Sequence, residues 1–111
     1  MDVKASRDLF PGALEMMVLQ TLRKAPLHGY ALAQVIKRSS ADLLQIEEGS
    51  LYPALQRMLK TGLVEAKWGM SANNRRVRLY TLTKAGRKQL TVEGESWDRL
   101  ALAIAKVRKA V

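Results

Sequence analysis

The chain has no cysteine and a single histidine, His28. The first absence excludes disulfides and thiolate metal sites, and one histidine cannot build a zinc site. No metal and no cofactor is therefore expected. Nothing at the N-terminus reads as a signal peptide, because Met1 to Arg7 is polar and mixed in charge. No apolar run approaches the ~20 residues of a membrane span, so the expected location is the cytoplasm with no membrane partner. Clustered acid–base groups are also missing: Glu47 and Glu48 are adjacent and face different directions, which makes a catalytic role the weakest reading. Acids are scarce in general, with 10 Asp and Glu against 19 Lys and Arg and a net charge of +9. From Lys67 to Leu90 there are seven basic residues and no acid. A chain this basic is expected to meet a polyanion: nucleic acid, or less often an anionic membrane surface.

With 111 residues, the chain makes one modest core. Pro11-Gly12 precedes a helix expected from Ala13 to about Lys24, with Leu14, Met17, Val18 and Leu22 at helical spacing. Met16 and Leu19 add apolar surface off that stripe, so this helix should be contacted from two sides. Pro26 ends it. A second helix is expected from Tyr30 to Arg38, with Leu32, Val35 and Ile36 buried and His28 setting the turn into it. A third is expected from Ser50 as N-cap, with Pro53 in its first turn and Gly62 as its stop. Leu51, Leu55, Met58 and Leu59 give it an apolar stripe, and Pro53, Gln56, Arg57 and Lys60 occupy the other face.

Two strands follow, Leu63 to Trp68 and Arg75 to Thr83, with turn residues Gly69 to Asn74 between them. Val64, Ala66 and Trp68 share a face, and Trp68 is a core residue or an anchor of the hairpin. Thr83 caps a final helix running toward Val111. There Leu90, Trp97, Ile104 and Val111 recur every seven residues, with Leu100 and Val107 between them. Gly86 and Glu93 interrupt this seam. A stripe of this kind on a small domain is expected to pair with a second copy rather than stay in water.

Three helices and then a hairpin is the order of a winged helix-turn-helix, an α+β fold. The expected division is a DNA-binding unit, 1–83, and a dimerisation helix, 84–111. In this architecture the third helix enters the major groove and the wing follows the backbone or the minor groove. Arg57 suits guanine and Gln56 suits adenine, while Arg75, Arg76 and Arg78 suit phosphates.

The segments Pro26-Leu27-His28-Gly29-Tyr30, Glu48-Gly49-Ser50-Leu51-Tyr52-Pro53-Ala54-Leu55, Trp68-Gly69, Asn74-Arg75-Arg76 and Leu82-Thr83-Lys84-Ala85-Gly86-Arg87 together resemble the PadR family of bacterial transcriptional regulators. The resemblance extends to its small subgroup with a single C-terminal helix. It implies a homodimer that binds pseudo-palindromic promoter double-stranded DNA, as a rule as a repressor. It places Tyr30, Ser50 and Tyr52 against phosphates, Pro53, Gln56 and Arg57 against base edges, and Asn74, Arg75 and Arg76 in the wing contact. It also puts Trp97 at the dimer axis, where relatives sandwich planar aromatic effectors, with Leu9, Met16 and Gln20 lining the cavity. One turn earlier, where drug-binding relatives carry an aromatic, this chain has Gly94. Two alternatives follow: a sensor of planar aromatic or phenolic compounds, and an architectural protein that binds nucleic acid without sequence preference.

Overall fold

The computed structural model describes residues 3–4 and 12–111 of the chain. The elements are β1 (Val3–Lys4), α1 (Ala13–Leu22), α2 (Gly29–Ser39), β2 (Leu44–Gln45), α3 (Glu48–Lys60), β3 (Val64–Met70), β4 (Arg76–Leu82) and α4 (Lys84–Ala110). This is an α+β winged helix-turn-helix with a long C-terminal helix. β1 and β2 pair in parallel over two positions, and β3 and β4 form an antiparallel hairpin with Val64 opposite Leu82 and Met70 opposite Arg76. Leu27 adds an isolated bridge to the hairpin, its N–H donating to the Tyr80 carbonyl and the Tyr80 N–H donating back.

α1 runs through the centre of the domain, packed against α2, α3, α4 and β4. Val18, Leu19 and Leu22 are almost wholly buried, which is why its apolar residues spread beyond one stripe. They join Leu32, Leu51, Leu55, Met58, Val64, Tyr80 and Leu82 in one core. Burying each leucine contributes about 1.5–3 kcal/mol. The helix ends at Leu22, before the expected Lys24, in the turn that leads to Pro26. α2 starts one residue early, with His28 at the N-cap position and its carbonyl accepting from Leu32 N–H.

α3 departs from the sequence expectation at its start. Ser50 is not the N-cap; Glu47 holds that position, and its carbonyl accepts from the N–H groups of both Ser50 and Leu51. The acidic pair Glu47-Glu48 meets the positive end of the helix dipole, which favours the earlier start. Pro53 accordingly falls inside the helix rather than in its first turn. Its nitrogen cannot donate back to the Gly49 carbonyl. α3 ends as expected, with Gly62 at φ 76° just beyond it.

The hairpin is longer at β3 than its sequence suggests, reaching Met70, and the turn is confined to Ser71–Arg75. Ser71 closes this turn. Its N–H donates to the Arg75 carbonyl at 2.8 Å and its Oγ accepts from the Arg75 N–H at 3.1 Å. Asn74 takes the left-handed conformation, φ 60°, that asparagine tolerates better than most residues. Thr83 caps α4 as expected, its Oγ1 accepting from Gly86 N–H at 3.0 Å.

The first turns of α4 belong to the domain. A Cβ on Gly86 would collide with the Leu63 carbonyl and the Leu82 side chain, so the glycine in the heptad pattern is there for close approach to the hairpin. Leu90 was expected in the dimer seam. Instead it is 7 % exposed in the single chain and packs in the core, because α4 still lies against α1 at that depth. Toward its C-terminus the helix outruns the domain, giving a molecule 54 Å long and 30 × 21 Å across. Among the described residues no helix is long and apolar enough to cross a membrane.

Candidate nucleic-acid interface

α3 buries Leu51, Ala54, Leu55 and Met58 and turns Pro53, Gln56 and Lys60 outward, all exposed. At 3.6 residues per turn these three fall in the middle of the outer face. Tyr52 and Arg57 sit on its opposite flanks. Gly49 shares the outer face, and a Cβ there would meet nothing. Ser50 is half-buried in the first turn.

Tyr52, which the resemblance puts against phosphate, is also a packing residue. Its ring lies over Gly29, where an added Cβ would stand 2.8 Å from the hydroxyl. The side chain nevertheless stays 40 % exposed. Burial pushes its pKa above the ordinary 10.0, with Glu48 and Tyr80 acting the same way. At neutral pH it is therefore a protonated hydroxyl with a proton to donate. Glycine at 29 is what lets the ring lie flat on the start of α2.

Beside Tyr52 a groove of about 740 Å³ separates α2 from the hairpin tip. Tyr30, Gln34 and Arg38 line it from α2, and Asn73 and Arg75 from the wing. Tyr30 is 61 % exposed and stacks on His28, with ring centroids 6.5 Å apart. Asn73 lines this groove; Asn74, the residue expected at the contact, shapes the turn beside it. Gln34 and Arg38 were not anticipated, although their spacing on one face of α2 was available in the sequence.

Arg76 and Arg78 project on the face of the hairpin that carries Trp68. The register places Trp68 opposite Arg78. The guanidinium carbon of Arg76 lies 4.4 Å from the indole centroid and that of Arg78 lies 5.6 Å from it. The same face carries Val64, Tyr80 and Leu82 in the core at its base. Trp68 continues this row past the core's edge and is a wing residue, 60 % exposed.

Arg57 corrects one expectation. Its guanidinium does not stand free over the outer face: Nη2 donates to Glu15 Oε1 of α1 at 2.6 Å. The partners are separated by 42 positions in sequence, and nothing in either helix's own pattern announces the contact.

The residues expected around an effector divide. Met16 and Trp97, with Leu100, line a groove of about 200 Å³ between α1 and α4. Gln20 instead lines a neighbouring groove of about 430 Å³ with Arg23, Arg87 and Gly94. Leu9 lies outside the described residues. Further along α4, Leu100, Ile104 and Val107 are between 41 and 60 % exposed. Among the described residues, no group of three His, Asp or Glu side chains is placed to hold a metal ion.

Comparison with known proteins gives this geometry a family. A solved transcriptional regulator from Clostridium thermocellum superposes with a TM-score of 0.78 at 26 % identity, covering 86 % of this chain and 92 % of that one. An uncharacterized protein of Lysinibacillus sphaericus is 27 % identical over 90 residues, covering 81 % of this chain and 83 % of its own length. The negative transcriptional regulator PadR of Bacillus subtilis is 25 % identical over 77 residues, 69 % of this chain but 42 % of that protein, so this chain matches less than half of it. The model of the transcriptional regulator PadR-like family matches residues 18–92, which run from the middle of α1 into the first turns of α4 and include α2, α3 and the wing, and the chain belongs to that family.

Proposed function

We propose that the chain acts as a homodimeric transcriptional repressor that binds pseudo-palindromic promoter DNA and has no catalytic activity of its own. One observation carries this reading: Tyr52 of α3 lines both the groove that Arg75 shares with α2 and the cleft that holds Arg76 and Arg78, so the helix and the wing arginines meet at one residue. Pro53, Gln56 and Lys60 face the major groove, with Gln56 placed to pair with adenine. Tyr30, Ser50, Tyr52 and Arg75 receive the phosphodiester strand that runs between α3 and the hairpin tip. Arg76 and Arg78 add charge along the wing, and the turn at Asn74 sets its reach. Trp97, Leu100, Ile104 and Val107 pair with a second copy and set the spacing between half-sites.

Selection of binders from random DNA, with affinities then measured at one fixed salt concentration, tests the reading. Gln56→Ala should cost about 1–3 kcal/mol on the selected site and relax one base position. Lys60→Ala should weaken all duplexes alike. If no sequence outcompetes mixed DNA, the architectural alternative replaces this one.

A second reading rests on the adjacency of Met16 and Trp97. In the dimer, two such grooves would face each other, and a planar aromatic compound would stack between indoles and shift the half-site spacing. Saturable quenching of Trp97 in a Trp68→Phe background, coupled to release from the selected site, is the expected signature. Absence of saturable quenching would reduce the groove to interface packing, and quenching without release would leave a ligand site that does not control DNA binding.

A further inference from the structure

We infer that Glu15 is an internal competitor of DNA for Arg57, a restraint that holds the recognition helix's guanidinium off the nucleic acid until a better acceptor replaces the carboxylate. The inference rests on the DNA-binding reading and adds to it the control of one contact. Three observations carry it. First, the Arg57 Nη2 to Glu15 Oε1 contact is short, 2.6 Å, and spans two helices. Second, Arg57 lies on the flank of the outer face of α3 that borders α1, so the pair draws its charge away from Gln56 and Lys60. Third, the pair is unequal in exposure: Arg57 is 62 % exposed and Glu15 29 %. The carboxylate is thus held by the protein, while the guanidinium remains reachable from solvent.

Glu15 has a local reason to be where it is. It stands in the first turn of α1, whose N-cap is Gly12 with no side-chain cap. A carboxylate there complements the helix dipole. That role alone requires no arginine. The exposed contact is cheap to break, since such pairs favour the bonded state by no more than about fivefold. A guanine edge, with two acceptors for one guanidinium, can therefore displace the carboxylate, whereas a lone phosphate leaves Glu15 in place. The consequence is selective: a duplex that offers Arg57 no good acceptor gains nothing from it and still meets the negative charge of Glu15. Mixed-sequence DNA is penalised more than a site with a well-placed acceptor.

The test is a double-mutant cycle on the full chain, with mixed-sequence duplex DNA as the probe and salt concentration varied. Glu15→Gln should tighten binding about two- to fivefold. It should also steepen the log–log salt dependence by about 0.9, one phosphate's worth. Arg57→Ala should change binding less than about twofold in the unaltered chain, because the group is already engaged. In the Glu15→Gln background the same change should abolish the gain. Glu15→Asp keeps the charge but shortens the reach, and should reproduce part of the tightening. It serves as the second variant should Glu15→Gln unfold. Equal tightening with and without Arg57 would reduce Glu15 to a general field effect and overturn the inference. Weaker binding in Glu15→Gln would overturn it too, making Glu15 a support that aims Arg57 at the bases. Absence of duplex binding by every version would bring down the DNA-binding reading itself, whereas binding without coupling removes only this inference.

Discussion

Trp68 has few apolar neighbours of its own, yet it is placed where two guanidiniums cross its faces. Arg76 and Arg78 are two apart in β4, so they leave the strand on the same side, and the cross-strand register brings both over the indole. Exposed cation–π contacts are worth about 0.5–1 kcal/mol each. That is enough to bias the arginines toward extended positions along the wing, and too little to hold the fold. Trp68→Ala should therefore change stability by less than about 1 kcal/mol in urea titrations followed by circular dichroism. The same variant should weaken DNA binding severalfold, and Trp68→Phe should retain most of it. A large stability loss would mean that the indole serves the core. The sequence placed Trp68 on the correct strand face but could not say where along that face the core stops. The limit is set by how far α2 and α3 reach under the hairpin, a property of packing. Arg57 was unreadable for a related reason: its partner is on another helix, and helical spacing reports only neighbours three or four residues apart.

At the scale of elements, periodicity recovered all four helices and both wing strands, and the errors gather where chain ends and turns compete. The start of α3 is one. Ser50 is the better capping residue by type, but with Glu47 as the N-cap the helix is three positions longer at its start. The connection from α2 to α3 is another. Ala41 and Asp42 both adopt left-handed backbone, at φ 53° and 64°, and only Asp42 is of a type that tolerates it. Asp42 N–H donates to the Lys37 carbonyl and Leu44 N–H to Ser40 Oγ, so the reversal is pinned from both sides. Left-handed backbone costs an L-residue with a Cβ roughly 1–2 kcal/mol. Glycine would remove that cost and lose about 0.4–1 kcal/mol through the greater freedom of the unfolded chain. Ala41→Gly should thus stabilise the protein by ~0.5–1 kcal/mol, read as a higher urea midpoint at unchanged slope. Destabilisation would show that the neighbouring contacts, rather than the alanine, bear the strain. Asp42→Gly should gain less, since aspartate tolerates this conformation better.

For the molecule as a whole, the heptad pattern of α4 proves to contain two different things. Its upper part, Gly86 and Leu90, closes the core of a single chain. Its lower part, Trp97 to Val107, carries the same spacing along the groove beside Met16 and beyond it, and leaves large apolar side chains exposed in the single chain. One sequence repeat thus serves folding first and, in the proposed dimer, association second. The repeat could not reveal the boundary, because both jobs need leucine-like residues on one helix stripe. Two substitutions separate them. Leu90→Ala removes a buried side chain and should cost about 2–5 kcal/mol at every protein concentration. Ile104→Asp touches nothing buried in the single chain. It should leave the wing and helices folded while converting the sedimenting species from dimer to monomer. For the unaltered chain the melting temperature should rise with protein concentration, because association stabilises by mass action. For Ile104→Asp that dependence should vanish. A melting temperature independent of concentration in the unaltered chain, with sedimentation as a folded monomer at micromolar concentration, would leave the exposed stripe without a second copy. The two-half-site mode of DNA binding would then fail with it, since a single α3 reads only one half-site.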